Sequence, residues 1–128
     1  MSDRELQHCD SVDEANDSTF GERVRAARRA HGISLRAFAS IIEISPTYLS
    51  KIERGELPPP ATDRILSIAS NLDEDGDELM GLAGKIAPDV VGIMLQHPVE
   101  YAALVRGMRT MTRERIRALI QSVTSTWR

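Results

Sequence analysis

The run from Ser34 to Gly55, SLRAFASIIEISPTYLSKIERG, constrains this chain more than any other stretch. Its apolar residues are Leu35, Phe38, Ala39, Ile41, Ile42, Ile44, Tyr48, Leu49 and Ile52. Within each half they recur at helical spacings, and the rhythm breaks across Glu43-Ile44-Ser45. Ser34 and Ser45 each precede a helical run and read as N-caps, the second followed by Pro46 at the first helical position. Gly55 reads as the residue that ends the second helix. Ala39 stands where two crossing helices need a small side chain. The pattern predicts two short helices held at a fixed angle. Such a helix-turn-helix can lay its second helix in the major groove of DNA.

Around this run the chain punctuates itself into further helices. Thr19 and Glu22 have the spacing of a capping box, which predicts a first helix through about Ala30. In it Phe20, Val24 and Ala27 face inward, and Arg23, Arg25, Arg28 and Arg29 circle the outside. The three prolines of Glu56-Leu57-Pro58-Pro59-Pro60 forbid continuation of the helix before them. Thr62 starts a fourth helix with Ile65, Leu66, Ile68 and Ala69 on its apolar side. Asp73 to Asp77 form an acidic turn, and Glu78 to Ala83 a fifth helix ending at Gly84. Three more are expected at about 89–96, 98–109 and 113–127, with Pro88, Pro98 and Thr112 at or near their starts. Tyr101, Leu104, Val105 and Met108 line one side of the second of these. Ile116, Leu119, Ile120, Val123 and Trp127 form a stripe along the last, which predicts an amphipathic helix seeking a partner surface.

At this point the resemblance to a known family is clear. FGERVRAARRAHGIS, ISPTYLSKIERGELPPP and LSIASNLDEDGDELMGLAG keep the order and spacing of the lambda-repressor-like (Cro/C1, or XRE) family of helix-turn-helix regulators. The resemblance runs from Phe20 to Gly84. One departure is Glu43, which occupies the turn position where this family usually has glycine; a left-handed backbone there would cost on the order of 1 kcal/mol. The resemblance implies an all-α, five-helix DNA-binding domain over 19–84; the acidic, aperiodic run 1–18 reads as a disordered arm, and the apolar stripes past Gly84 predict a helical dimerisation segment over 85–128.

It also implies site residues. Pro46, Thr47 and Lys51 stand where the family contacts base edges. Lys51 has the reach for guanine O6 and N7, and Thr47 offers a hydroxyl and a methyl suited to thymine. Leu35 stands where the family often has a polar contact and can offer only an apolar one. Ser34, Arg36, Ser50 and Arg54 are expected at phosphates, which fix register without reading sequence. Glu53 is expected to pair with Arg23 or Arg28. The dimer interface is expected at Ile116, Leu119, Ile120, Val123 and Trp127.

The formal net charge of −3 hides a strong segregation. Residues 1–18 carry −5, 19–60 carry +3, 61–84 carry −5 and 85–128 carry +4. Phosphate affinity follows local basic patches rather than totals, so the helix-turn-helix segment is suited to a polyanion. The single Cys9 excludes an intramolecular disulfide and fits a reducing compartment. No apolar run has the length of a membrane span, and the acidic start does not read as a signal peptide, so a cytoplasmic protein is expected.

The bland alternatives remain strong elsewhere. His8-Cys9 is an exposed polar pair before it is a metal site, and Asp73, Glu74, Asp75 and Asp77 lack the spacing of a calcium loop. Met94, Met108 and Met111 read as core filler. No nucleophile, base and orienting group come together, so no enzyme, metal or cofactor is expected. The expected function is a sequence-specific transcription regulator, a repressor that binds a two-fold site on double-stranded DNA as a homodimer. The alternatives are an antitoxin that also masks a toxin, and a repressor inactivated when a protease removes its C-terminal helices.

Overall fold

The structure, a computed structural model, describes residues 19–125. The expected acidic arm and Trp127 lie outside the described residues. All regular elements among those described are helices: α1 (Phe20–Ala30), α2 (Leu35–Ile41), α3 (Pro46–Glu53), α4 (Thr62–Asn71), α5 (Gly76–Leu82), α6 (Pro88–Gln96), α7 (Pro98–Met108) and α8 (Arg113–Ser125). They divide into two units, one ending at Ala87 and the other beginning at Pro88.

The starts of the first helices follow from side chains that satisfy orphan amides. At α1 the Thr19 hydroxyl accepts from the Glu22 amide at 3.2 Å, and the Glu22 carboxylate accepts from the Thr19 amide at 2.9 Å. That bond to the Thr19 backbone holds the Glu22 carboxyl below its ordinary value. Ser34 and Ser45 cap α2 and α3 through the amides of Ala37 and Tyr48, at 3.1 and 3.0 Å. Asp75 caps α5 by accepting from the Glu78 amide at 3.0 Å. For that reason α5 begins at Gly76, two residues before the expected start, and the acidic turn is shorter than the sequence suggested.

The ends of α1 to α5 share one device. In each, the amide two residues past the C-cap donates to a carbonyl five residues back: Ile33 to Arg28 (3.2 Å), Ile44 to Ala39 (2.9 Å), Glu56 to Lys51 (2.8 Å), Glu74 to Ala69 (2.9 Å) and Lys85 to Met80 (2.8 Å). This is the Schellman closure, and it requires a left-handed residue just past the C-cap. Gly32, Gly55 and Gly84 supply it in three helices, while Glu43 (φ 60°) and Asp73 (φ 54°) supply it in the other two. Both non-glycine residues sit in the turn of a helix pair. The α4–α5 pair therefore repeats the α2–α3 turn, with Ala69, Leu72, Asp73 and Asp75 in the places of Ala39, Ile42, Glu43 and Ser45.

Val24, Phe38, Ile42, Leu49, Ile52, Ile65, Ile68, Leu72, Leu79 and Met80 fill the core of the first unit, one or two from each of its five helices and two, Ile42 and Leu72, from C-caps. Burying each such side chain contributes about 1.5–3 kcal/mol. Arg23 bridges from α1 to Glu74 (2.9 Å) and Glu78 (2.6 Å), fastening α1 to the start of α5. Lys85 donates to the Pro60 carbonyl at 3.2 Å, and Ala87 is buried, so these residues belong with the first unit.

The second unit is built differently. Pro98 opens α7, and Thr112 caps α8 by accepting from the Arg115 amide at 3.2 Å. Not one described residue of α6, α7 or α8 is buried within this chain.

Candidate nucleic-acid interface

Helix α3 is only eight residues long, and it divides cleanly between core and solvent. Leu49, Ile52 and Glu53 are buried, whereas Thr47, Lys51 and Arg54 are exposed and Ser50 is half-buried between them. Thr47, Ser50, Lys51 and Arg54 recur at three- and four-residue spacing, so they share one face of the helix. Pro46 is half-buried at the first position. Ser34 and Arg36 are exposed at the start of α2, with the Ser34 hydroxyl occupied as the cap. Leu35 is half-buried and packs against the hydrophobic core, so only part of it remains available for an outside contact.

The face is set by what holds the opposite side. Glu53 is 5% exposed and receives a forked pair from Arg28, Nε to Oε2 at 2.8 Å and Nη2 to Oε1 at 3.0 Å. The third donor of Arg28, Nη1, reaches the Ile33 carbonyl at 2.9 Å. The hydrogen bonds to Glu53 hold the guanidinium above its ordinary value, against the opposing effect of burial. Between the two expected partners for Glu53, the structure selects Arg28. The expectation that Arg28 lies on the outside of α1 is corrected: it is buried because Glu53 draws it inward. A second fastening was missed. Gly21 lies so close to α3 that a Cβ there would overlap the Ile52 carbonyl oxygen and sit 2.7 Å from that of Glu53. The sequence signal was present as a glycine inside a capped helix, where it is otherwise unfavourable.

Two of the seven cations in residues 19–60, Arg23 and Arg28, are thus consumed in internal pairs. Arg25, Arg29, Arg36 and Lys51 are exposed. Arg54 is shared: its Nη1 lies 3.2 Å from Glu56 Oε2, and its Nε donates to the Ser50 carbonyl at 3.3 Å. An open groove of about 710 Å³ flanks this end of α3, lined by Phe20, Ile52, Arg54, Leu57 and Pro59 among others. Its acids Glu22, Glu53 and Glu56 are engaged with Thr19, Arg28 and Arg54.

Of the four acids weighed as a calcium loop, Glu74 holds Arg23 and Asp75 caps α5. Among the described residues no three His, Cys, Asp or Glu side chains gather where they could hold a metal, and the His8-Cys9 pair lies outside them. No described helix is long and apolar enough to cross a membrane.

Five short helices around one core, with a capped and clamped second helix-turn-helix member, have the architecture of a helix-turn-helix DNA-binding domain. Residues 19–80 match the model of a family described as a helix-turn-helix domain. A solved structure titled as a SinR protein/SinI protein complex is similar at 21% identity and a TM-score of 0.45, over 84% of this chain and 97% of that one. No curated protein matches the chain.

Proposed function

We propose that this protein is a sequence-specific repressor that binds a two-fold operator as a homodimer in the cytoplasm. The observation that carries the DNA half of this reading is the division of α3, whose solvent face holds Thr47, Ser50, Lys51 and Arg54 while Leu49, Ile52 and Glu53 are locked into the core. On it Thr47 and Lys51, with Pro46 and the exposed part of Leu35, read base edges. Ser34, Arg36, Ser50 and Arg54 hold phosphates.

The homodimer is supported by the second unit. Leu95 is 69% exposed, Leu104 55%, Ile120 54% and Val123 58%. Ile116 and Leu119 on α8 are exposed as well. A helical unit with no buried side chain among its described residues calls for a partner surface, and apolar exposure of this extent suits an interface. A second copy supplies that surface and at the same time doubles the base contacts, giving half-sites about one helical turn apart.

Selection of bound duplexes from a randomised pool tests the reading. The full chain enriches an inverted repeat whose half-sites lie about 10 base pairs apart. Enrichment of a single, asymmetric half-site would defeat the two-fold reading, and no enrichment at all would defeat sequence-specific recognition.

A further inference from the structure

The pair of Arg54 and Glu56 sits at one end of the α3 solvent face, and it has no part in the core. Arg54 and Glu56 side chains are 53% and 49% exposed, and they meet at 3.2 Å. The acid is not placed there by chance side-chain wandering. Its own amide is the one that closes α3, donating to the Lys51 carbonyl at 2.8 Å, while the Leu57 amide donates to the same carbonyl at 3.3 Å. Gly55, left-handed at φ 76°, turns the chain so that this closure can form. Glu56 is therefore held by backbone bonds beside the arginine that the DNA reading assigns to a phosphate. The other arginine–glutamate pairs of this unit lock helices together: Arg28–Glu53 joins α1 to α3, and Arg23 joins α1 to Glu74 and Glu78. Arg54 and Glu56 are two residues apart and join no elements.

We infer that Glu56 is an internal competitor that must yield Arg54 to a DNA phosphate on binding. This inference rests on the proposed docking of α3. A carboxylate beside the guanidinium lowers its attraction for any polyanion, and releasing it subtracts from every complex alike. An equal cost lowers every affinity by the same factor, and the weak non-specific complexes, which gain no base contacts, are the ones it takes below useful occupancy. The exposed pair is weak enough to be exchanged, as surface ion pairs are. The consequence is a filter: the protein is kept off arbitrary DNA by a charge held in its own helix-closing turn.

The test is a set of four full-length proteins, wild type, Glu56→Gln, Arg54→Ala and the double variant. Each is titrated by fluorescence anisotropy with a random-sequence duplex over a range of salt. Glutamine keeps the size and the backbone closure, and circular dichroism checks that helicity is unchanged. Glu56→Gln should bind about two- to fivefold tighter, the range that an exposed pair allows, with a salt slope steeper by up to about 0.9. In the Arg54→Ala background the same change should have no more than a small effect. An equal gain in both backgrounds would overturn the inference, since Glu56 would then act by general charge alone. So would an unchanged Glu56→Gln in a protein that loses affinity on Arg54→Ala. Absence of any salt-sensitive duplex binding by the wild type would instead remove the DNA reading beneath it.

Discussion

Arg28 and Glu53 form a forked, buried ion pair that joins the first helix to the back of the third, and it orients the proposed recognition face. The side chains are 10% and 4% exposed, and every buried polar side-chain atom among the described residues has a partner. Removing one member leaves the other charged in the core, which costs about 3–5 kcal/mol. Glu53→Ala should therefore lower stability by that amount in urea. Replacing both, as Arg28→Met with Glu53→Leu, should recover most of the loss, since a buried pair is often no more stable than apolar residues of its size. A double variant as unstable as Glu53→Ala would mean that the pair is needed for the fold itself.

Gly21 permits the second contact between the same helices. A methyl group there has no room before the carbonyls of Ile52 and Glu53, which are backbone and cannot rotate away. Although alanine is the better helix former, Gly21→Ala should destabilise by about 1–3 kcal/mol or more, as overpacking does. A thermal melt is enough to check this. A raised melting temperature would show that α1 is free to shift along α3.

Glu43 and Asp73 hold left-handed backbone; aspartate tolerates that region, whereas a glutamate side chain does not favour it. Asparagine tolerates this region, and β-branched residues do so worst. Glu43→Asn should stabilise by about 0.5 kcal/mol, and Glu43→Val should destabilise by about 1 kcal/mol or more. Glu43→Gly should fall near the asparagine value or below it, because glycine also loosens the unfolded chain. Equal stabilities for asparagine and valine in denaturant titrations would contradict a left-handed Glu43.

What could be read from the sequence was what local chemistry specifies. Thr19 with Glu22, Ser34, Ser45 with Pro46, and Gly55 are short-range signals, and each does in the structure what its spacing implied. The start of α5 was misplaced because the acids Asp73, Asp75 and Asp77 offer several caps, and the structure uses Asp75. Arg28 was expected in solvent since it lies one helical step from the core face; its burial depends on Glu53, 25 residues away. Gly21 was passed over for the same reason, as its constraint comes from carbonyls on another helix. Leu35 was counted in the apolar pattern as well as read as a base contact, and it packs on the core. Periodicity marks which residues face inward, but not which partner they meet.

The C-terminal unit yields a test of assembly. Because Lys85 and Ala87 belong with the first unit, the chain should be stopped after Ala87 rather than after Gly84. That truncated chain should stay folded and sediment as a monomer at micromolar concentration, and Leu119→Asp in the full chain should behave alike. Both should keep weak, salt-sensitive binding to arbitrary DNA and lose operator binding. A truncated chain that still sediments as a dimer would move the interface to the first unit. The apolar helices would then await a different partner, with a toxin or a protease as the candidates to test.

Base reading and phosphate holding separate on α3 itself. Lys51 is exposed in the middle of the solvent face, and Arg54 lies one turn further along. A lysine that reaches guanine O6 and N7 contributes discrimination, so Lys51→Ala should cost about 1–3 kcal/mol on the operator and relax preference at one base pair per half-site. Arg54→Ala should weaken all duplexes in similar proportion and lower the salt slope by up to about 0.9 per contact. Competition binding against single-base variants of the selected operator distinguishes the two. If Lys51→Ala changed neither affinity nor preference, α3 would have to enter the groove by another face, and since Leu49, Ile52 and Glu53 are buried, that leaves only its N-terminal end, at Pro46 and Thr47.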